Sequence, residues 1–240
     1  MGRNILIIGA SGDIGTAISK QLADEGYNLI LHYFQNKKGL EQNRNGLDKE
    51  TVLMAIQADL SQTEGIHYLL DQLVFPVDAV IFAGGQAHYG LLQDMDETSM
   101  DAMLTLHVKA PWTITKHLLP GMIQQKQGRI ILITSIWGEV GASYEVVYSS
   151  VKGAQNSFVK ALSKEMAPSG IAVNAVSPGF IDTKMVQHIL SEEKARIIDD
   201  IPANRVGTPD DVAHAVSFLM SEQSDYIHGE IIHVSGGWCS

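Results

Sequence analysis

The sequence predicts an α/β fold: one domain on a doubly wound, seven-stranded parallel sheet with helices on both faces. Three observations carry this. Short runs of Ile, Leu and Val alternate with longer amphipathic stretches along the chain, the order expected of strands joined by crossover helices. The strand-like runs are nearly continuous in apolar residues, as strands covered on both faces must be. A chain of 240 residues with 45% hydrophobic content can bury one substantial core and is short for two.

The strand-like runs span 4–9, 28–33, 52–57, 79–83, 129–134, 172–176 and 230–234. Helical periodicity covers about 14–25, 63–73, 100–123, 148–167 and 209–220. The last opens on Pro209-Asp210-Asp211, a proline and two carboxylates that suit a helix N-terminus. Two stretches differ. Residues 35–49 are polar and carry Gly39 and Gly46, which predicts a poorly formed helix or a loop. Residues 181–205 follow the Pro178-Gly179 turn with weaker periodicity and are expected to form a substrate flap. No linker or repeat divides the chain, so a single domain, 1–240, is expected. Its ligand crevice should lie at the carboxyl ends of the strands.

Composition narrows the function classes. A net charge of −10 disfavours nucleic acid and anionic membrane, which reward clustered Lys and Arg. No apolar run reaches the ~20 residues of a membrane span, and the run 5–8 is too short for a signal peptide. Cys239 is the sole cysteine and the nine histidines lack metal-ligand spacing, so neither a disulfide framework nor a metal site is expected. A cytoplasmic protein fits these features.

Gly9-Ala10-Ser11-Gly12-Asp13-Ile14-Gly15 follows the first strand and opens the first helix. Glycines there let the backbone approach a pyrophosphate, and the helix N-terminus offers free N–H groups. This predicts a Rossmann dinucleotide site. When the adenosine ribose carries a free 2′-hydroxyl, the second strand normally ends on an acid about 20 residues past the loop. Here it reads His32-Tyr33-Phe34-Gln35, followed by Lys37 and Lys38, which favours NADP(H) while leaving NAD(H) open. Asp59, past the third strand, is a candidate acceptor for the adenine amine or a helix cap.

Tyr148 and Lys152 lie four residues apart, hence on one helix face. An ammonium beside a phenol favours phenolate and is expected to lower the tyrosine pKa toward an acid–base catalyst's range. Ser135 ends the fifth strand, where the crevice should lie, and its hydroxyl can hold a substrate oxygen.

With these positions in order, the chain resembles the short-chain dehydrogenase/reductase family, in layout the 3-oxoacyl-acyl-carrier-protein reductases. The matching positions are the glycine loop, Asp59-Leu60, Ala83-Gly84, Ser135 thirteen residues before Tyr148, Lys152, Asn174, Pro178-Gly179, Thr183, the 205–209 stretch and Gly236-Gly237. The resemblance implies that Tyr148 protonates a carbonyl oxygen oriented by Ser135 while a nicotinamide delivers hydride. It implies that Lys152 holds the nicotinamide ribose and that Pro178, Gly179, Ile181 and Thr183 bind the nicotinamide side. Tyr33, Lys37, Asp59, Leu60, Ala83 and Gly84 complete the expected cofactor contacts. The family also implies a homotetramer, to which the apolar residues on more than one face of the 148–167 helix would contribute.

Three departures stand out. The family's middle loop glycine is Asp13, whose carboxylate should point away from a pyrophosphate. The family's Asn-Asn-Ala-Gly is Ile81-Phe82-Ala83-Gly84. The helix asparagine that often completes a catalytic tetrad is His107, which can still offer its backbone carbonyl.

The 135–148 segment resembles bacterial elongation factor P 5-aminopentanone reductases, which reduce a ketone on a modified lysine. Trp137, Glu139, Tyr144 and Glu145 in it are candidate substrate residues, and the glutamates would attract an amine-bearing ketone. The expected partner is a small-molecule or protein-tethered ketone. A ketoacyl group on an acidic carrier would need a basic surface, for which Lys126 and Arg129 are candidates. A dinucleotide-sensing regulator without catalysis is the competing reading, and the presence of Ser135, Tyr148 and Lys152 together argues against it.

Overall fold

The computed structural model describes residues 3–48, 50–186 and 190–238. Seven parallel strands form one sheet: β1 (Asn4–Ile8), β2 (Asn28–Tyr33), β3 (Val52–Gln57), β4 (Ala79–Phe82), β5 (Gly128–Ile133), β6 (Ile171–Pro178) and β7 (Ile231–Val234), in the order β3-β2-β1-β4-β5-β6-β7. The order reverses between β1 and β4, and a doubly wound sheet opens its crevice at such a reversal.

Strand alternation divides the core. Leu6, Ile8, Ile30, Phe82, Ile130 and Leu132 face one side with Ile66, Ile114, Val159 and Leu162, carried by α3 (Thr63–Gln72), α5 (Ala110–Gln125) and α7 (Val146–Met166). Ile5, Ile7, Leu29, Leu31, Ile131 and Ile133 face the other with Ile18, Leu22, Val212 and Val216, from α1 (Asp13–Asp24) and α9 (Pro209–Met220). Each fully buried Ile or Leu contributes about 1.5–3 kcal/mol relative to exposure. Helix α9 starts as expected: Thr208 and Asp211 form a reciprocal capping box with Pro209 in the first turn, and Arg205 grips Asp211 through two bonds of 2.7 and 2.9 Å.

All seven expected strands occur, shifted by at most a few residues. Two helix expectations need correction. Residues 37–45, expected to be poorly formed, are a regular helix, α2 (Lys37–Asn45), capped by Asn36, whose side chain accepts from Gly39 N. Gly39 serves close packing: a Cβ there would lie 2.8 Å from Ser11 O. The single helix expected at 100–123 is α4 (Glu97–Leu104), a π turn (Thr105–Lys109) and α5. Pro111 lacks the N–H that an α-helix would aim at the carbonyl of His107, so the regular ladder is interrupted there.

Between β5 and α7 lies the short helix α6 (Trp137–Val140). The expected flap holds a 3-10 turn (Lys184–Val186) and α8 (Ser191–Asp200); residues 187–189 of it lie outside the described residues. Among the described residues no helix is long and apolar enough to cross a membrane.

Candidate active site

A cleft of about 1060 Å³ opens at the carboxyl ends of the strands. Its floor begins at the glycine loop. Gly9 has φ +83°, and a Cβ on it would lie 2.4 Å from Gly84 Cα; a Cβ on Gly15 would lie 2.2 Å from Gly9 O. These two glycines let β1, α1 and the end of β4 close up. Gly12 differs: a Cβ there would meet only Gly9 O at 3.5 Å, so the space in front of it belongs to the cleft. Gly12 also caps α1 without a side-chain bond, leaving first-turn N–H groups facing that space, the donor set an anion takes.

Helix α2, which local sequence predicts only as a poorly formed helix or a loop, braces this loop. Asn36 Nδ2 donates to Ser11 O at 2.8 Å and Asn43 Nδ2 to Ala10 O at 2.9 Å. His32 joins from β2. Its Nδ1 accepts from Gly9 N at 3.2 Å and its Nε2 donates to Ala58 O at 3.0 Å; burial holds its pKa down at about 4.

The cleft is lined by Gly9, Ser11, Gly12, Asp13, Ile14, Gly15, Asp59, Leu60, Ala83, Gly84, Pro178, Gly179, Ile181 and Thr183, all anticipated from sequence. Asp59 also accepts from Ser61 N and Oγ at 3.0 and 2.6 Å, a turn-capping role beside its place on the wall. Asp13 Oδ2 accepts from Lys184 N at 2.7 Å, so its carboxylate ties the start of α1 to the flap.

Two expected cofactor residues do not line the cleft. Tyr33 packs into the core on the α1 side, its hydroxyl donating to Gln57 Oε1 at 3.4 Å, because strand alternation turns it away from the face of His32. Lys37 is exposed at the start of α2, outside the lining. His32, Phe34, Gln35 and Asn36 line that end instead.

Ser135, Tyr148 and Lys152 converge on the other half of the cleft. Ser135 lies close enough to the Tyr148 hydroxyl to pull its pKa down and accepts from Trp137 N at 3.2 Å. Lys152 Nζ sits 5.5 Å from the Tyr148 ring centroid and donates to Ile133 O at 2.8 Å and Gln155 Oε1 at 3.2 Å. Helix α6 packs on α7 at this point, where a Cβ on Gly138 would lie 2.9 Å from Lys152 Cβ.

The electrostatics reverse one expectation. The Tyr148 pKa lies above its ordinary value, mainly through desolvation, then through nearby Glu145, with the Ser135 hydroxyl pulling the other way. The phenol is therefore held protonated, the form a proton donor needs. Lys152 is itself lowered to about 7 by burial, which weakens the cation expected to favour phenolate.

His107 does not line the cleft. It is 1% exposed, its ring edge-on to Tyr148 with centroids 5.7 Å apart, and Nε2 lies 2.9 Å from Gln86 O. Burial, with Lys152 nearby, lowers its pKa to about 3, so the imidazole is neutral. Its carbonyl accepts from Gln155 Nε2 at 2.8 Å.

Of the substrate candidates, Trp137 and Glu145 line the cleft. Glu139 does not: it pairs with His233 at 2.7 Å. Tyr144, at φ +65°, stacks on Tyr89 at 5.2 Å and reaches the wall only through that partner. Sequence reasoning missed Tyr89, Glu193, Ile197 and Trp238, which also line it. Trp238 meets Trp137 edge-on at 5.2 Å, and no local motif announces that contact; it depends on the turn at Gly236 and Gly237, both at positive φ. Arg129 is unsuited to docking, being 6% exposed, donating to Ser221 O at 2.8 Å and paired with Asp225. It lies at the amino end of β5, remote from the cleft.

A family model described as enoyl-(acyl carrier protein) reductase matches residues 9–239. The chain is 48% identical to the oxidoreductase YmfI of Bacillus subtilis over 240 residues, 99% of each chain. It is 33% identical to the 3-oxoacyl-acyl-carrier-protein reductase FabG of Staphylococcus epidermidis over 241 residues, again 99% of each. A solved structure from Beutenbergia cavernae with NADP bound at low occupancy superposes with TM-score 0.92 at 28% identity, covering 99% of this chain and 96% of that one. The chain belongs to the short-chain dehydrogenase/reductase family of oxidoreductases and resembles its 3-oxoacyl-acyl-carrier-protein reductases.

Proposed function

We propose that the protein reduces a ketone to an alcohol with NADPH, using Tyr148 as proton donor, and that its preferred ketone carries an amine. The observation that carries the reaction type is the convergence of Ser135, Tyr148 and Lys152 in a cleft whose other half is a glycine loop at a helix N-terminus. The open space at Gly12 and the unbonded first turn of α1 fit a pyrophosphate. A reduced nicotinamide, when bound, supplies hydride to the carbonyl carbon.

The protein's own residues do the rest. Ser135 donates to the substrate oxygen and orients it, and Tyr148, kept protonated by desolvation, passes its proton to that oxygen as negative charge develops. Lys152 presents its remaining N–H to the cleft, where it would hold the ribose. The absence of a carboxylate among His32, Phe34, Gln35 and Asn36 favours NADPH over NADH.

Glu145 supports the amine. It is partly buried on the wall, with its pKa raised by that burial, and Glu193 adds a second carboxylate to the lining. A ketone on a modified lysine, as in the elongation factor P reductases that the 135–148 segment resembles, meets this requirement. A carrier-bound acyl group fits less well, since Arg129 is buried and bonded.

The test compares wild type with Glu145→Gln on an amine-bearing ketone and a neutral ketone of equal length. One charge contact of about 1 kcal/mol predicts a loss of about fivefold in kcat/KM for the amine substrate relative to the neutral one. Unchanged selectivity would overturn the substrate assignment. No oxidation of NADPH by wild type with any ketone would overturn the reaction.

A further inference from the structure

Lys152, 3% exposed, has three N–H bonds to place. Two go to Ile133 O and Gln155 Oε1, at 2.8 and 3.2 Å. Gln155 lies three residues on along α7, hence on the same face, and is 4% exposed. The other end of its amide donates to His107 O at 2.8 Å. That carbonyl can receive it because the residue four places on is Pro111, which has no N–H to give. Flipping the amide would set oxygen against the His107 carbonyl and NH₂ against the ammonium, so its orientation is fixed by both partners.

We propose that Gln155 is a positioning residue for Lys152: its amide oxygen holds the ammonium charged and leaves one N–H for the cleft, anchored on the π turn at His107. The groups facing Lys152 are few. Helix α7 contributes the Tyr148 ring, with Glu145 acting on that phenol. The π turn contributes the neutral His107, β5 the Ile133 carbonyl, and α6 turns Glu139 away to His233. With burial already lowering the Lys152 pKa to about 7, the loss or gain of one partner falls in a measurable range.

The experiment titrates the intact protein labelled with ¹³C at lysine Cε, assigning Lys152 by its loss in Lys152→Met. A hydrogen bond to a charged group predicts that Gln155→Leu lowers the Lys152 midpoint by about one pH unit, and that Gln155→Glu raises it by at least about as much. The Glu variant is nearly isosteric, so it reports even where the Leu variant fails to fold. Midpoints that stay put, or move the same way in both variants, would overturn the proposal. The kinetic arm alone rests on the ketone-reductase reading: the alkaline limb of kcat should follow the two midpoints. Opposed midpoint shifts without ketone reduction in wild type would support the role of Gln155 and count against that function.

Discussion

Acidification from near pH 7 to near pH 5 should destabilise this protein through two histidines held neutral by burial. His32 is 4% exposed with a pKa of about 4, and His107 is 1% exposed with a pKa of about 3. In the unfolded chain both titrate near 6.5. Between pH 6.5 and 4 the unfolded state therefore binds protons that the native state refuses, and stability falls as pH falls. Above that window both states are neutral and nothing changes. Near pH 5 each histidine costs about 2 kcal/mol, limited by the unfolded titration, and the pair about 4 kcal/mol. Asp211, lowered by its bonds to Arg205, acts only at lower pH. Urea unfolding near both pH values should show this loss in wild type. His32→Gln, which keeps a donor for Ala58 O and loses the titration, should recover about half of it. An identical pH dependence in wild type and variant would refute the reasoning.

Further predictions concern the site and the assembly. Tyr148→Phe should lower kcat by at least about a hundredfold with cofactor affinity nearly intact, since general acid catalysis supplies a factor of that order; stopped-flow turnover and fluorescence titration with NADPH separate the two. Gln35→Asp places a carboxylate at the end of β2 and should shift the preference toward NADH, read as the ratio of kcat/KM for the two cofactors, and an unchanged ratio would remove this wall from cofactor selection. Trp112, 50% exposed and packed on Phe158 with ring centroids 6.5 Å apart, is expected at a subunit contact. Light scattering should report a homotetramer for wild type and a smaller species for Trp112→Lys; a monomeric wild type at micromolar concentration would exclude the assembly.

Local sequence determined a great deal here. The strands were legible because each is an apolar run covered on both faces, and their alternation with helical stretches leaves few topologies. The meeting of the glycine loop, Ser135, Tyr148 and Lys152 in one cleft was legible because the chemistry proposed for them requires particular residues at fixed spacing beside particular elements. What local patterning could not supply depends on contacts between distant segments. Helix α2 looked weak by composition, yet Asn36 and Asn43 bond the glycine loop and Gly39 allows the approach. Glu139 and Glu145 were equivalent in sequence, and only the position of His233, on β7, separates them. The Tyr148 pKa reversed for the same reason: spacing reports the cation four residues away, whereas desolvation is summed over everything the fold packs around it. Gln155 carried no motif at all. Its role exists because a π turn from another part of the chain brings the His107 carbonyl to its amide, and such a meeting is decided by tertiary packing alone.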